Sequence, residues 1–228
     1  MINQKDMIEI DLIIKDNNTK DILDTTLENI AKESNIFNSK ITYKPLTVIY
    51  GKGELLKAVE ENIKELELNK TKTFSLKKEF AFGERDPKLI QLLPLADFKK
   101  ENINPVPGMY INTGEHQAKI LNVSGGRVQV DYNHDFAGRD LEYTVTLKKI
   151  VNDDKEKVRA LAEKYFYFVP IDKLNVEFKD KNVEVILPMV LPKDVEYIKF
   201  AFAQSVYDIT SFEDVKLSQS YPKTKKGD

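Results

Sequence analysis

One helical stripe constrains this chain most. In Glu54–Leu66 (ELLKAVEENIKEL) the residues Leu55, Leu56, Val59, Ile63 and Leu66 fall on a single face, the spacing of an amphipathic helix with one side against a core. Its neighbours are strands. Ile8, Ile10, Leu12 and Ile14 alternate with Glu9, Asp11 and Ile13, which is strand periodicity. DNNTKD (Asp16–Asp21) follows as a hairpin turn and Ile22–Asp24 as the returning strand. Residues 27–38 read as a short helix and loop after a Thr25/Thr26 cap. Leu46–Tyr50, closed by Gly51–Gly53, and Lys72–Leu76 are further β-rich runs. A clear helix set among short strands points to an α+β class.

The character changes after Asp86. Asp86–Gly108 is rich in proline and apolar residues, and three short strands are expected at Met109–Ile111, Ala118–Val123 and Arg127–Asp131, joined by TGEH and SGG turns. Tyr143–Ile150 resumes strand alternation. From Asp153 the order is helix (Lys155–Tyr167), two strands about a KDKN turn (Leu174–Lys179, Val183–Leu187), helix (Asp194–Ile209) and a last strand near Asp214–Leu217. That is the pattern of a further α+β domain, with PKTKKGD expected as a disordered tail.

Composition narrows the function. With 35 basic and 37 acidic side chains, the charge balance gives no case for nucleic acid or an anionic membrane. The absence of cysteine excludes disulfides and thiolate chemistry. Only two histidines, His116 and His134, are present, so neither a metal centre nor a cofactor is expected. No apolar run reaches the ~18 residues of a membrane span, and the opening residues lack the pattern of a signal peptide. The expected location is the cytoplasm.

Four segments together resemble the SlyD-like FKBP-type peptidyl-prolyl cis-trans isomerases, in the long archaeal form. LDTT (Leu23–Thr26) is similar to FDTT or FDSS of that family. PLTVIYGKGELLKAVEENI (Pro45–Ile63) is similar to its strand, glycine turn and central helix. KEFAFGERDP (Lys78–Pro87) is similar to its flap, and VDYNHDFAGRDLEYTV (Val130–Val145) to its return into the core. The resemblance implies an antiparallel half-barrel around one helix, a small β-rich insert-in-flap domain and a C-terminal α+β domain. The implied boundaries are 1–86 with 134–152 for the FKBP domain, 87–133 for the insert and 153–228 for the C-terminal domain.

The implied activity is rotation about Xaa–Pro bonds, assisting protein folding. Loss of amide resonance sets a barrier of ~18–20 kcal/mol, and no nucleophile or metal is needed to lower it. An apolar, water-poor pocket suffices, because the twisted amide is less polar than the planar one. Carried over by position, Asp24, Phe82 and Tyr143 would act on the amide. Leu12, Leu23, Leu46, Leu55, Leu56 and Val59 would bind the proline-bearing segment, with the Leu55 backbone N–H as donor to its carbonyl. Leucine at 12 and 23 and valine at 59 stand where the family usually has larger or aromatic groups, so reduced or narrowed turnover is expected. Phe74 and Phe80 are expected in the core, and His134 in a structural role.

In the insert, Leu89, Ile90, Leu92, Leu93, Leu95, Phe98, Met109 and Ile111 serve either as the core of a tiny domain or, in part, as an exposed groove. Ile90, Leu92, Leu93, Phe98, Met109 and Ile111 are the groove candidates for unfolded chains. The expected partners are unfolded polypeptides with Xaa–Pro bonds, and self-association through the C-terminal domain is a further expectation. The rival reading is a non-catalytic holdase whose isomerase pocket has decayed.

Overall fold

The computed structural model describes residues 1–113, 116–188 and 195–219. The chain forms a mixed α+β structure in two compact units. One comprises Met1–Ile13, Ile22–Thr73 and Thr144 onward; the other comprises Ile14–Asp21 and Phe74–Tyr143. Among the described residues no helix is long and apolar enough to cross a membrane.

A five-stranded half-barrel sheet is built from β1 (Met7–Asp16), β2 (Ile22–Thr25), β3 (Leu46–Ile49), β4 (Thr71–Leu76) and β9 (Leu141–Val151). Its order is β2-β1-β9-β4, with β3 antiparallel to β1 in a register that opposes Ile10 to Leu46 and Met7 to Ile49. The alternation seen in sequence is kept: Ile8, Ile10, Leu12 and Ile14 are buried while Glu9, Asp11 and Ile13 are half-buried. The turn after β1 is set by the Asp16 carboxylate, which accepts the N–H groups of Asn18 (2.8 Å) and Thr19 (3.2 Å), an Asx turn.

Within the first unit, α1 (Glu28–Glu33) and α2 (Lys57–Ile63) follow their strands. The expected helix Glu54–Leu66 is shorter than its apolar stripe. Leu55 lies before it, and Leu56 sits at its N-cap with extended ψ of 138°, so the two leucines are presented from the approach to the helix. Val59 and Ile63 are buried on its inner face. The threonines expected to cap α1 bind β1 instead. Thr25 Oγ1 donates to the Leu12 carbonyl (2.9 Å), and Thr26 Oγ1 accepts the Leu12 N–H (2.9 Å).

The later part of this unit holds α4 (Asp154–Tyr165), β10 (Asn175–Lys179), β11 (Asn182–Leu187), α5 (Val195–Ile209) and β12 (Asp214–Gln219). β11 pairs antiparallel with β10 and parallel with β12. Asp153 caps α4 by accepting the Glu156 N–H at 2.8 Å, the acceptor half of a capping box. Phe166 and Phe202 are fully buried with rings 5.2 Å apart. They share one core with Val158, Leu161 and Val185, with Met7 of β1 and Ile49 of β3, and with Val151 at the end of β9. Position 194, the expected start of α5, the Gly114–Glu115 turn and the PKTKKGD tail lie outside the described residues.

The second unit contains a four-stranded sheet of order β5-β8-β7-β6, from β5 (Ile90–Pro94), β6 (Tyr110–Thr113), β7 (His116–Ser124) and β8 (Arg127–Asp131). Strand β5 and helix α3 (Leu95–Lys100) occupy the segment that proline and apolar composition had left without elements. A proline ends β5 and forms the N-cap of α3, positions where its missing N–H costs no ladder bond. The core here is Phe98, Ile111, Ala118, Ile120, Val128 and Val130, with Leu93, Leu95 and Met109 packed against it.

Candidate functional site

In the first unit the candidate residues lie on β1 and β2, on the approach to α2 and on α2 itself. Leu12 is buried at 9% exposure, Val59 at 1%, and Leu23, Leu55 and Leu56 are half-buried. Asp24 ends this group. Its residue is exposed overall, yet the protein around its carboxyl raises its pKa above the ordinary value by desolvation, against a smaller lowering from the Thr25 N–H. That N–H donates to Asp24 Oδ1 at 2.8 Å, which fixes the carboxyl at the end of β2. The threonine bonds to Leu12 hold β2 to β1 at the same level.

Leu46 is placed differently. It is 39% exposed and lines a cavity of about 880 Å³ with Thr25, Thr26, Ile41, Tyr43, Arg159 and Tyr167. None of Leu12, Leu23, Asp24, Leu55, Leu56 or Val59 lines that cavity. Two ion pairs tie its walls together: Lys44 to Glu163 at 3.1 Å and Lys164 to Glu54 at 2.5 Å.

In the second unit, Tyr143 is 4% exposed and stacks on Phe74 at 5.8 Å with ring planes 7° apart. Phe82 is half-buried and stacks on His134 at 3.9 Å and 8°. Phe136 meets both edge-on, at 5.4 Å from Phe82 and 5.3 Å from His134. Such pairs contribute roughly 0.5–1.5 kcal/mol each beyond burial. Phe80, expected in the core, is instead 68% exposed. It ends a single 3₁₀ turn, Lys78–Phe80, which lies beyond the strand that carries Phe74.

Two clamps hold this unit, and composition alone does not reveal them. Buried Asp131 pairs with Arg85 and accepts both the backbone and the side-chain N–H of Asn133 at 2.8 Å. Buried Asp16 pairs with Arg139 at 2.6 Å. Burial opposes the Asp16 charge, but the Asn18 N–H, Arg139 and the Thr19 N–H outweigh it and hold the carboxyl below its usual range. The readable signal is the motif pair itself, since GERDP carries Arg85 and VDYNHDFAGRD carries Asp131, Asn133 and Arg139. Among the described residues no group of three or more His, Cys, Asp or Glu is placed to hold a metal.

The groove candidates divide. Phe98 and Ile111 are buried at 7% and 6%; they are corrected from groove to core, because a sheet with one short helix needs its largest apolar groups inside. Leu93 and Met109 pack against the same core, and Ile90 is half-buried. Leu92 is 60% exposed on β5.

The chain is similar to known proteins. The family model described as FKBP26, IF domain, matches residues 91–136. The chain is 31% identical over 156 residues to the short-type peptidyl-prolyl cis-trans isomerase of Methanocaldococcus jannaschii, covering 68% of this chain and 98% of that protein. It is 25% identical over 130 residues to the FKBP-type isomerase SlyD of Helicobacter pylori, covering 56% of this chain and 70% of that one. The FKBP-type 16 kDa isomerase of Escherichia coli K12 is 26% identical over 111 residues, 47% of this chain and 74% of its own.

Proposed function

This chain belongs to the FKBP-type peptidyl-prolyl cis-trans isomerase family, and from that premise we propose that it assists folding by isomerising Xaa–Pro bonds in unfolded polypeptides. Asp24, Phe82 and Tyr143 act on the amide, while Leu12, Leu23, Leu46, Leu55, Leu56 and Val59 hold the proline-bearing segment. The observation that carries this reading is Asp24, a partly desolvated carboxyl fixed to the Thr25 N–H near the end of β2. An apolar surround disfavours the planar, more polar amide, and the carboxyl orients it. The division 1–86 with 134–152, 87–133 and 153–228 is proposed as isomerase domain, insert-in-flap domain and C-terminal domain. The isomerase domain would be the family's half-barrel around α2, and the C-terminal domain is the proposed route to self-association. The proposed compartment is the cytoplasm.

Leu92 favours a second, compatible role. It is a largely exposed apolar side chain on β5, which ends the four-stranded sheet. A sheet edge with an exposed apolar group accepts an extended client by strand addition. The holdase reading makes this the whole function. A refolding assay limited by proline isomerisation, run beside an aggregation-suppression assay, separates the two: catalysis in the first supports the isomerase, and activity in the second alone supports the holdase.

A further inference from the structure

We propose that His134 is a positioning residue for the isomerase pocket, its imidazole acting as a backing plate that fixes the plane of the Phe82 ring. The inference rests on the reading above that Phe82 faces the proline-bearing segment.

The geometry is a three-ring cluster. His134 lies 3.9 Å from Phe82 and 8° from parallel, and Phe136 stands at 82° to Phe82 and 75° to His134. A phenylalanine ring turns about a broad χ2 torsion, so one contact leaves its plane free. A face contact and an edge contact together remove that freedom. The imidazole is itself anchored, because its Nδ1 accepts the Phe136 N–H at 3.1 Å; the neutral ring then carries its proton on Nε2. The backbone is pinned at the same place: the Gly138 N–H donates to the Gly83 carbonyl at 2.7 Å. Gly83 has φ of 72° and Gly138 of 79°, values that favour glycine at both ends of this link.

His134 is exposed while Phe82 is half-buried. The imidazole therefore covers Phe82 from the solvent side and is well placed to orient it without being enclosed with a substrate. Rotation of an amide transfers no proton, so an acid–base role is not required of His134. What the site requires of it is a flat face at fixed distance.

Two variants separate the flat face from the hydrogen bond. His134→Phe keeps the face and loses the Nδ1 acceptor; His134→Asn offers an acceptor oxygen and loses the face. Proline-isomerisation kinetics on the full chain are expected to show kcat/KM lowered about tenfold by His134→Asn and kept within about twofold by His134→Phe. Flipping of the Phe82 ring, read from the NMR line shapes of its ring protons, is expected to speed up in His134→Asn and to stay near the wild-type rate in His134→Phe, a readout of ring position that the mere loss of a ring current does not produce. Wild-type kinetics in His134→Asn, or equal losses in both variants, would overturn the inference. Phe82→Ala, measured alongside, separates the levels. If Phe82→Ala matches wild type, the parent assignment fails and this inference with it; if Phe82→Ala is impaired while His134→Asn is not, the inference alone fails.

Discussion

Asn133 and Asp86 exchange two hydrogen bonds: the Asp86 N–H donates to Asn133 Oδ1 at 2.9 Å, and Asn133 Nδ2 donates to the Asp86 carbonyl at 3.0 Å. A side-chain amide thus stands in for a strand partner at the point where one segment leaves for β5 and the other returns from β8. The same amide also reaches buried Asp131. Asn133→Ala leaves Asp131 and the Asp86 backbone short of partners, at an expected cost of about 1–3 kcal/mol. Chemical denaturation of the variant checks the cost, and faster hydrogen exchange at Asp86 and Tyr132 would locate it.

Asp16 should contribute to acid sensitivity. Its folded pKa lies below the ordinary value, so its contribution is fully present above the unfolded value of ~3.9 and is lost as pH falls through the folded one. Asp16→Asn should flatten the stability profile below about pH 4. Arg139→Met should cost about 1–2 kcal/mol at neutral pH, less than a fully enclosed pair because the Arg139 side chain is 39% exposed. Denaturation midpoints across an acid series measure both.

Tyr110 offers an alkaline counterpart. Its phenol is pushed up to about 12, first by burial and then by donating to Asp135 Oδ2 at 2.6 Å. The folded value exceeds the unfolded ~10, so the stabilisation is complete below ~10 and disappears as pH rises towards the folded value. In ultraviolet titration Tyr110 should ionise late, as should Tyr50, whose phenol is also raised by burial, and Tyr110→Phe should reduce the late component by one tyrosine.

The insert role can be separated from catalysis at Leu92. Leu92→Glu places a charge where the side chain is already 60% exposed, so folding should be little affected. Affinity for an unfolded client should fall about tenfold, or ~1.4 kcal/mol, while turnover of a short proline peptide stays unchanged. Titration of a permanently unfolded protein and a peptide assay provide the comparison.

Much of the half-barrel was legible because its signals are local. The alternation at Ile8–Ile14 and the Val59/Ile63 stripe each report one buried face. The bounds of α2 were not legible, because Leu55, in a bend, and Leu56, at the N-cap with an extended ψ, continue the apolar pattern outside the helix. β5 and α3 were hidden for a related reason: prolines that punctuate a strand end and a helix start look, in composition, like a loop. In the candidate site the motifs point to Asp24, Phe82 and Tyr143, but not to the ring contacts that Phe136 and His134 make with Phe82. Ring stacking between residues 52 positions apart leaves no periodic trace. The Arg85–Asp131 and Arg139–Asp16 clamps likewise leave no periodic trace, and only the motifs that carry Arg85, Asp131 and Arg139 point to them.

Asp24 bears the central claim. Its raised pKa means the folded state holds its proton more tightly, so its carboxylate detracts from stability once pH passes the unfolded ~3.9. Asp24→Asn should accordingly be at least as stable as wild type at neutral pH, and Asp24→Ala should fold. The most direct test is the proline-isomerisation rate of wild type and Asp24→Ala. The expected result is measurable turnover by the wild type that falls about tenfold or more in the variant, ~1.4 kcal/mol of barrier; an unchanged rate in a folded Asp24→Ala would contradict the site.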